Sequence, residues 1–264
     1  MSELIRLIRE SISTELLQLF LLLGARLFPI VTFSPLFGGQ HVPLRYRIGV
    51  TMLLATTMLP LFLPTMPDAL DPIVVFGLMA KEALLGLSLA IIIRMLFEMV
   101  AATGAFIDLA RGATIANVLD PQARAQNSVL SVFFLNFFLA IFFTVGGHRV
   151  LFDAIATSYE AYAPWDALPA QFYGQVAAFA LVSLLIDLFI VALQLAVPVI
   201  AVMFITDVSM GLLNQVTPKI QAFFLAMTVK ATLGLFILLL VFGVTVDAFL
   251  EQAIGGITRW GESF

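Results

Sequence analysis

The 264-residue sequence has no cysteine, two histidines and two tryptophans. Without cysteine there is no disulfide, iron–sulfur cluster or thiol nucleophile. His41 and His148 stand far apart, with no suitably spaced carboxylate near either, so no metal-ligand pattern emerges. Charge is scarce as well. Lys and Arg number 13 against 17 Asp and Glu, and charged residues make up 11% of the chain. A net charge of −4 without a basic stripe argues against nucleic acid as a partner. No glycine loop cradles a phosphate, because "GGQHVP" lacks the lysine and following helix of a P-loop. Ser128 and Ser131 have no base in view. The sequence therefore predicts no enzyme and no cofactor.

What remains is grease. Hydrophobic residues are 61% of the chain, 25 of them phenylalanine, and the mean hydropathy is +1.08. Such a composition places the chain in the membrane class. Barrel strands would alternate apolar and polar residues, whereas the apolar runs here are unbroken, which predicts an all-α membrane protein. The opening "MSELIRLIRESISTELLQLF" mixes charges of both signs, and no small-residue cleavage site follows. The first apolar run is therefore expected to stay in the mature protein.

Six apolar runs stand out: Leu16–Phe37, Ile48–Leu63, Ile73–Leu96, Val129–Val145, Val176–Ile205 and Ile220–Phe249. A bilayer core takes roughly 20 helical residues. The second and fourth runs are short for that, and the last two are too long for one straight span. They are expected to be tilted, bent into hairpins, or continued beyond the lipid, so a simple six-span bundle fits poorly. Lys and Arg in alternating connections favour a cytoplasmic side for 38–47, 98–128 and 207–219. Pro29, Pro35 and Pro198 interrupt runs and are expected to free backbone carbonyls.

Arg26, Lys81, Glu82, Arg94, Asp187 and Lys230 lie within the runs. Each would cost roughly 2.5–3.5 kcal/mol at a bilayer centre, so burial against protein, pairing or a watery path is implied. Arg94 and Glu98 are spaced to pair along one helix face. Lys81 and Glu82 are neighbours pointing different ways, and neither Arg26 nor Lys230 has an acid within a turn. A proton or ion relay is one reading. The preferred one is structural: these charges meet other helices or other subunits, and unpaired basic residues imply missing partner chains.

One segment is neither span nor ordinary loop: "GAFIDLARGATIANVLDPQ", residues 104–122. Asp108 and Arg111 are spaced to form an ion pair on a helix. Gly112 follows, where a helix commonly ends in left-handed conformation. Asp120 precedes Pro121 and so leaves the helical region, with a restart expected near Asn127-Ser128. Non-helical backbone at membrane depth needs protein cover or an aqueous path. On composition this could be a pore-closing loop or an ordinary surface loop.

That segment, "FFLNFFLAIFFTVGGH" (133–148), "SYEAYAPW" (158–165), "GARLFPIVTFSPLFGGQHVPLRYRIGVTMLLATTMLP" (24–60) and "DVSMGLLNQVTPKIQAFFLAMTVKATLGL" (207–235) together resemble the FliR/SctT family. These are export-apparatus subunits of flagellar and type III secretion systems. The resemblance covers nearly the whole chain, and Arg-Gly at 111–112 with Ser-Tyr at 158–159 leans toward the injectisome branch.

The resemblance implies a single export-gate subunit over residues 1–264 that looks like two subunits fused. Residues 1–172 would be P-type-like and 173–264 a Q-type-like helical hairpin turning at Gln215, Pro218 and Lys219. It implies P-type, Q-type and B/U-type partners within a larger secretion basal body, unfolded proteins as cargo, and lipid around the helices. The location would be the bacterial inner membrane, multi-pass, with part of the complex at the periplasmic side. It further implies a channel plug formed by Gly112, Ala113, Thr114, Ile115, Ala116, Asn117, Val118, Leu119, Asp120 and Pro121. Asp108 and Arg111 would anchor the plug and Gly112 would be its hinge. Arg26, Lys81, Glu82, Arg94, Glu98, Asp187 and Lys230 would be buried at helix or subunit contacts. The rivals are a proton- or solute-coupled secondary transporter, for which no convincing inverted repeat is found, and a membrane-anchored scaffold.

Overall fold

The computed structural model describes residues 14–37, 42–65, 69–113, 128–166, 179–217 and 222–262. Every regular element among them is helical. The α-helices are α1 (Thr14–Phe33), α2 (Leu44–Phe62), α3 (Pro72–Arg111), α4 (Val129–Thr144), α5 (Gly147–Ala161), α6 (Phe179–Val216) and α7 (Ala222–Glu262). Short 3-10 turns, Pro35–Phe37 and Leu63–Thr65, follow α1 and α2. The all-α expectation holds.

Each apolar run becomes a helix, but several helices outrun their runs. α3 has 40 residues, and α6 and α7 have 38 and 41. At 1.5 Å per residue each is about 60 Å long, near twice a bilayer core. The last two runs are thus continuous helices and not bent hairpins. Of the prolines singled out in the sequence, Pro35 follows the end of α1, while Pro29 and Pro198 lie inside helices. α1 runs through Pro29, α2 through Pro60 and α6 through Pro198. A proline removes one backbone bond and crowds one carbonyl, and the surrounding turns retain theirs.

Local chemistry sets the helix ends. Asp71 caps α3, its Oδ1 accepting from the Ile73 amide at 2.9 Å, and Pro72 takes the first helical position, where no amide hydrogen is needed. Ser128 caps α4 by accepting from the Ser131 amide at 3.0 Å. α5 is a helix the apolar runs do not announce, because it is amphipathic. It buries Leu151, Ala154, Ile155, Ser158 and Tyr159, one helical stripe. It bends from α4 by 72° at Val145–Gly146, where Gly146 has φ 86°.

The chain divides into two compact units: Met1–Arg94 with Arg149–Leu181 and Gly256–Phe264, and Met95–His148 with Val182–Gly255. The core of the first holds Leu19, Leu23, Leu27 and Ile30 of α1 with Leu85 and Leu89 of α3. Trp260 closes it, its Nε1 donating to Ser88 Oγ at 3.0 Å. In the second, Phe134, Phe138 and Phe142 form a buried stripe on α4, with Phe97 and Phe249 at ring distances of 5.7 and 4.8 Å from Phe142 and Phe138.

α1 crosses α3 at Gly86, where a Cβ would fall on the Arg26 carbonyl group. Backbone is the obstacle, so the helices must part to admit a side chain. Gly86→Val is expected to destabilise the chain by about 1–3 kcal/mol, the usual cost of overpacking. It should appear as a lower thermal midpoint of the detergent-solubilised protein, and an unchanged midpoint would show the crossing to be loose.

Candidate functional site

The second unit holds the stem of the segment singled out in the sequence. α3 ends on Gly112, at φ 77°, with the Ala113 amide donating to the Asp108 carbonyl at 3.0 Å and the Gly112 amide to the Leu109 carbonyl at 3.1 Å. This two-bond pattern is the Schellman cap, which a left-handed glycine permits. Asp108, 2% exposed, faces the next helix. Its Oδ1 pairs with Arg111 Nη1 at 3.1 Å, and its Oδ2 accepts from Ser128 Oγ at 2.6 Å and from the Leu130 amide at 2.9 Å. One buried carboxylate therefore fastens the end of α3 to the start of α4. The helices meet backbone to backbone beside it, where a Cβ on Gly104 would lie 2.6 Å from the Leu130 carbonyl carbon. Arg111 is braced from behind by Gly234 of α7, a Cβ on which would sit 2.5 Å from Arg111 Cδ. Thr114, Ile115, Ala116, Asn117, Val118, Leu119, Asp120 and Pro121 lie outside the described residues, so the structure gives the start of the expected plug at Gly112 and Ala113, and the opening of α4 at Ser128, and not the plug's body.

The first unit holds a buried charge cluster. Arg26 is fully buried and grips Glu82 with two bonds, Nε to Oε2 at 2.6 Å and Nη2 to Oε1 at 2.8 Å. Its remaining donors reach Ser158 Oγ and the Tyr162 carbonyl, both at 3.0 Å. The guanidinium lies 3.9 Å from the centroid of the Tyr159 ring, and the Tyr159 hydroxyl donates to the Leu23 carbonyl at 3.1 Å. Lys81 Nζ pairs with Glu82 Oε1 at 2.6 Å and donates to the carbonyls of Ala163, Pro164 and Asp166 at 3.2, 3.2 and 2.8 Å. Two cations share one carboxylate. The excess positive charge is met by carbonyls just past the end of α5, where unpaired carbonyls and the helix dipole both favour a cation. Both oxygens of Glu82 are occupied, which fits a structural lock better than a proton relay.

These contacts correct three expectations. Lys81 and Glu82 do meet, because a lysine side chain is long enough to turn back onto its neighbour. Arg26 finds its acid 56 residues away on α3, and Lys230 finds Asp207 across α6 and α7 with both oxygens at 2.9 Å. Their partners lie in this chain, so these basic residues do not signal missing subunits. Arg94, Glu98 and Asp187 are exposed on the chain and not buried in it. Gln215 sits exposed in the last turn of α6, while Pro218 and Lys219 lie outside the described residues. Reasoning from sequence gave no site contact to Ser128, which it placed only at the helix restart, to Ser158 and Tyr159, to Asp207 or to the crossing glycines 86 and 104. The amphipathic stripe of α5 could have found Ser158 and Tyr159. Among the described residues no group of three or more metal-ligating side chains comes together.

Large apolar faces remain open. Only 33% of the most apolar window in Leu185–Val216 is buried within the chain, and 22% of that in Leu225–Trp260. Among the described residues four helices are long and apolar enough to cross a membrane, or five if the bent α4–α5 pair counts as one span. A chain with such helices, a charge cluster locked inside one unit and broad apolar faces outside is a multi-pass membrane protein. It belongs to the bacterial export proteins, family 1, whose model matches residues 17–254.

The chain is similar to the flagellar biosynthetic protein FliR of Bacillus subtilis (strain 168), at 32% identity over 228 residues covering 86% of each chain. It is also similar to the surface presentation of antigens protein SpaR of Salmonella typhimurium, at 30% identity over 89% of this chain and 88% of that one. The secretion system apparatus protein SsaT of Salmonella typhimurium is 27% identical over 67% of each. Flagellar and surface-presentation relatives match almost equally, so the leaning toward the injectisome branch gains no support. The secondary-transporter alternative gains none either.

Proposed function

We propose that this chain is a membrane subunit of a type III protein-export apparatus, and that residues 112–121 stopper the path its cargo takes. The family match over residues 17–254 carries the first part, and it implies a multi-subunit assembly in the inner membrane. P-type, Q-type and B/U-type subunits are the partners this reading expects, with part of the complex at the periplasmic side and unfolded proteins as cargo. The exposed faces of α6 and α7 are where a Q-type-like half would meet them, with Asp187 of α6 at that contact, and Arg94 and Glu98 would meet a partner on the exposed face of α3.

The Asp108 clamp supports the second part. A segment that must yield to cargo without loosening the walls needs flanks fixed to each other, and one carboxylate ties the end of α3 before it to the start of α4 after it. Gly112 supplies the turn at which the segment departs.

Deleting residues 113–119 is expected to raise ion conductance through the assembled complex while the complex still forms. Planar-bilayer recording checks the conductance, and co-purification of the other subunits checks assembly. Unchanged conductance would remove the stopper. A chain that purified alone and bound a small solute would remove the export role.

A further inference from the structure

We propose that the first unit carries a seat for one acyl chain of an anionic phospholipid, in the groove between α1, α2 and α3. The groove has a volume of about 430 Å³. Gly24 and Phe28 of α1, Ile48 and Met52 of α2, and Phe76 and Ala80 of α3 define it. The polar side chain in its lining is Thr51, whose hydroxyl is already spent on the Arg47 carbonyl at 2.9 Å. The groove therefore offers an occupant hydrocarbon contact and no hydrogen bond, which selects an alkyl chain over a polar ligand.

Two further observations point to an occupant from outside the chain. Gly24 sits mid-helix, where glycine weakens a helix relative to alanine, yet beyond its own helix backbone nothing among the described residues lies within 4 Å of where its Cβ would be. The space is open. The groove also has a charged end. Arg45, Ile48, Met52 and Ala55 follow one another at i, i+3, i+7 and i+10, so Arg45 continues the groove-lining stripe of α2 by one turn. Arg45 is exposed, no acidic residue shares the first turn of α2, and its guanidinium lies 5.2 Å from the ring centroid of the exposed Tyr46. An exposed arginine beside a tyrosine at the end of an apolar helix is the chemistry of the headgroup level. From there the groove runs along α1 from Pro29 back to Phe20, about 13 Å at helical rise. A cation at one end and an apolar trough behind it match an anionic headgroup and its tail.

The test uses the full chain in nanodiscs containing equal phosphatidylglycerol and phosphatidylethanolamine, with a photoreactive diazirine in one acyl chain of either lipid. Labelling is expected to concentrate on the peptides that carry Gly24–Phe28 and Ile48–Met52. Gly24→Leu fills the trough and should abolish that labelling, while Gly24→Ala, whose Cβ meets nothing, reports on folding. Arg45→Gln should lower the preference for phosphatidylglycerol about fivefold, the factor one basic residue contributes at a membrane surface, without lowering labelling by phosphatidylethanolamine. Labelling spread evenly over the exposed faces of α6 and α7 would overturn the proposal. So would a Gly24→Leu chain that keeps its lipid labelling but loses co-purifying membrane subunits, since the occupant would then be a partner's helix.

Discussion

Arg26→Met is expected to cost the chain roughly 3–5 kcal/mol, the usual penalty for removing one member of a buried ion pair. The loss goes beyond the two bonds to Glu82. Ser158 and the Tyr162 carbonyl also lose their donor, and Tyr159 loses the cation over its face. Lys81 remains to share Glu82, but it is already committed to three carbonyls of the 163–166 turn. Arg26→Lys should rescue little, because an ammonium cannot reproduce the planar fork that holds both carboxylate oxygens. Replacing Arg26, Lys81 and Glu82 together by methionine should recover most of the loss, since no charge is then left buried without a partner. Thermal midpoints of the detergent-solubilised variants provide the check. A triple variant as unstable as Arg26→Met alone would mean that shape, and not charge pairing, governs the site.

Asp108→Ala should have the second large effect, about 3 kcal/mol or more, because Arg111, Ser128 and the Leu130 amide all lose their acceptor. Asp108→Asn keeps the shape and one acceptor oxygen and should fall between the two. Ser128→Ala removes the cap of α4 and should cost about 1 kcal/mol. The local readout is hydrogen exchange at the Leu130 and Ser131 amides, which should quicken in the order Ser128→Ala, Asp108→Asn, Asp108→Ala at Leu130. In the assembled complex, ion conductance should rise in the same order. If Leu130 exchanges at the unaltered rate in Asp108→Ala, the carboxylate is not what joins the helices.

Local signals in the sequence were good guides where they were read. Gly112 ends α3 and the restart near Asn127-Ser128 opens α4, each through chemistry confined to three or four residues; the Asp71-Pro72 start of α3 is equally local but went unread. Length was harder. α3 runs 15 residues past the Ile73–Leu96 expected, since the 97–111 stretch mixes apolar and polar residues on a helix that packs on others, and hydropathy reads lipid and not packing. α5 went unseen for the same reason. The charge cluster was only half legible. Arg26, Lys81 and Glu82 were conspicuous as charges, but pairing Arg26 with Glu82 requires knowing that α1 crosses α3 at Gly86, a tertiary fact. The Asp108–Arg111 pair was visible because it is local. The link from Asp108 to Ser128 was not, because it spans 20 residues.

Since Asp108 ties down the residues on both sides of 114–127, the span between them is bounded by the same knot whatever its own composition. The entropic penalty for enlarging a bridge between fixed ends grows slowly, about 0.6 kcal/mol per doubling of its length. Grafts of different size could thus be exchanged into that interval with little strain passed to the phenylalanine stack on α4, leaving the scaffold free to vary the inserted segment without being rebuilt.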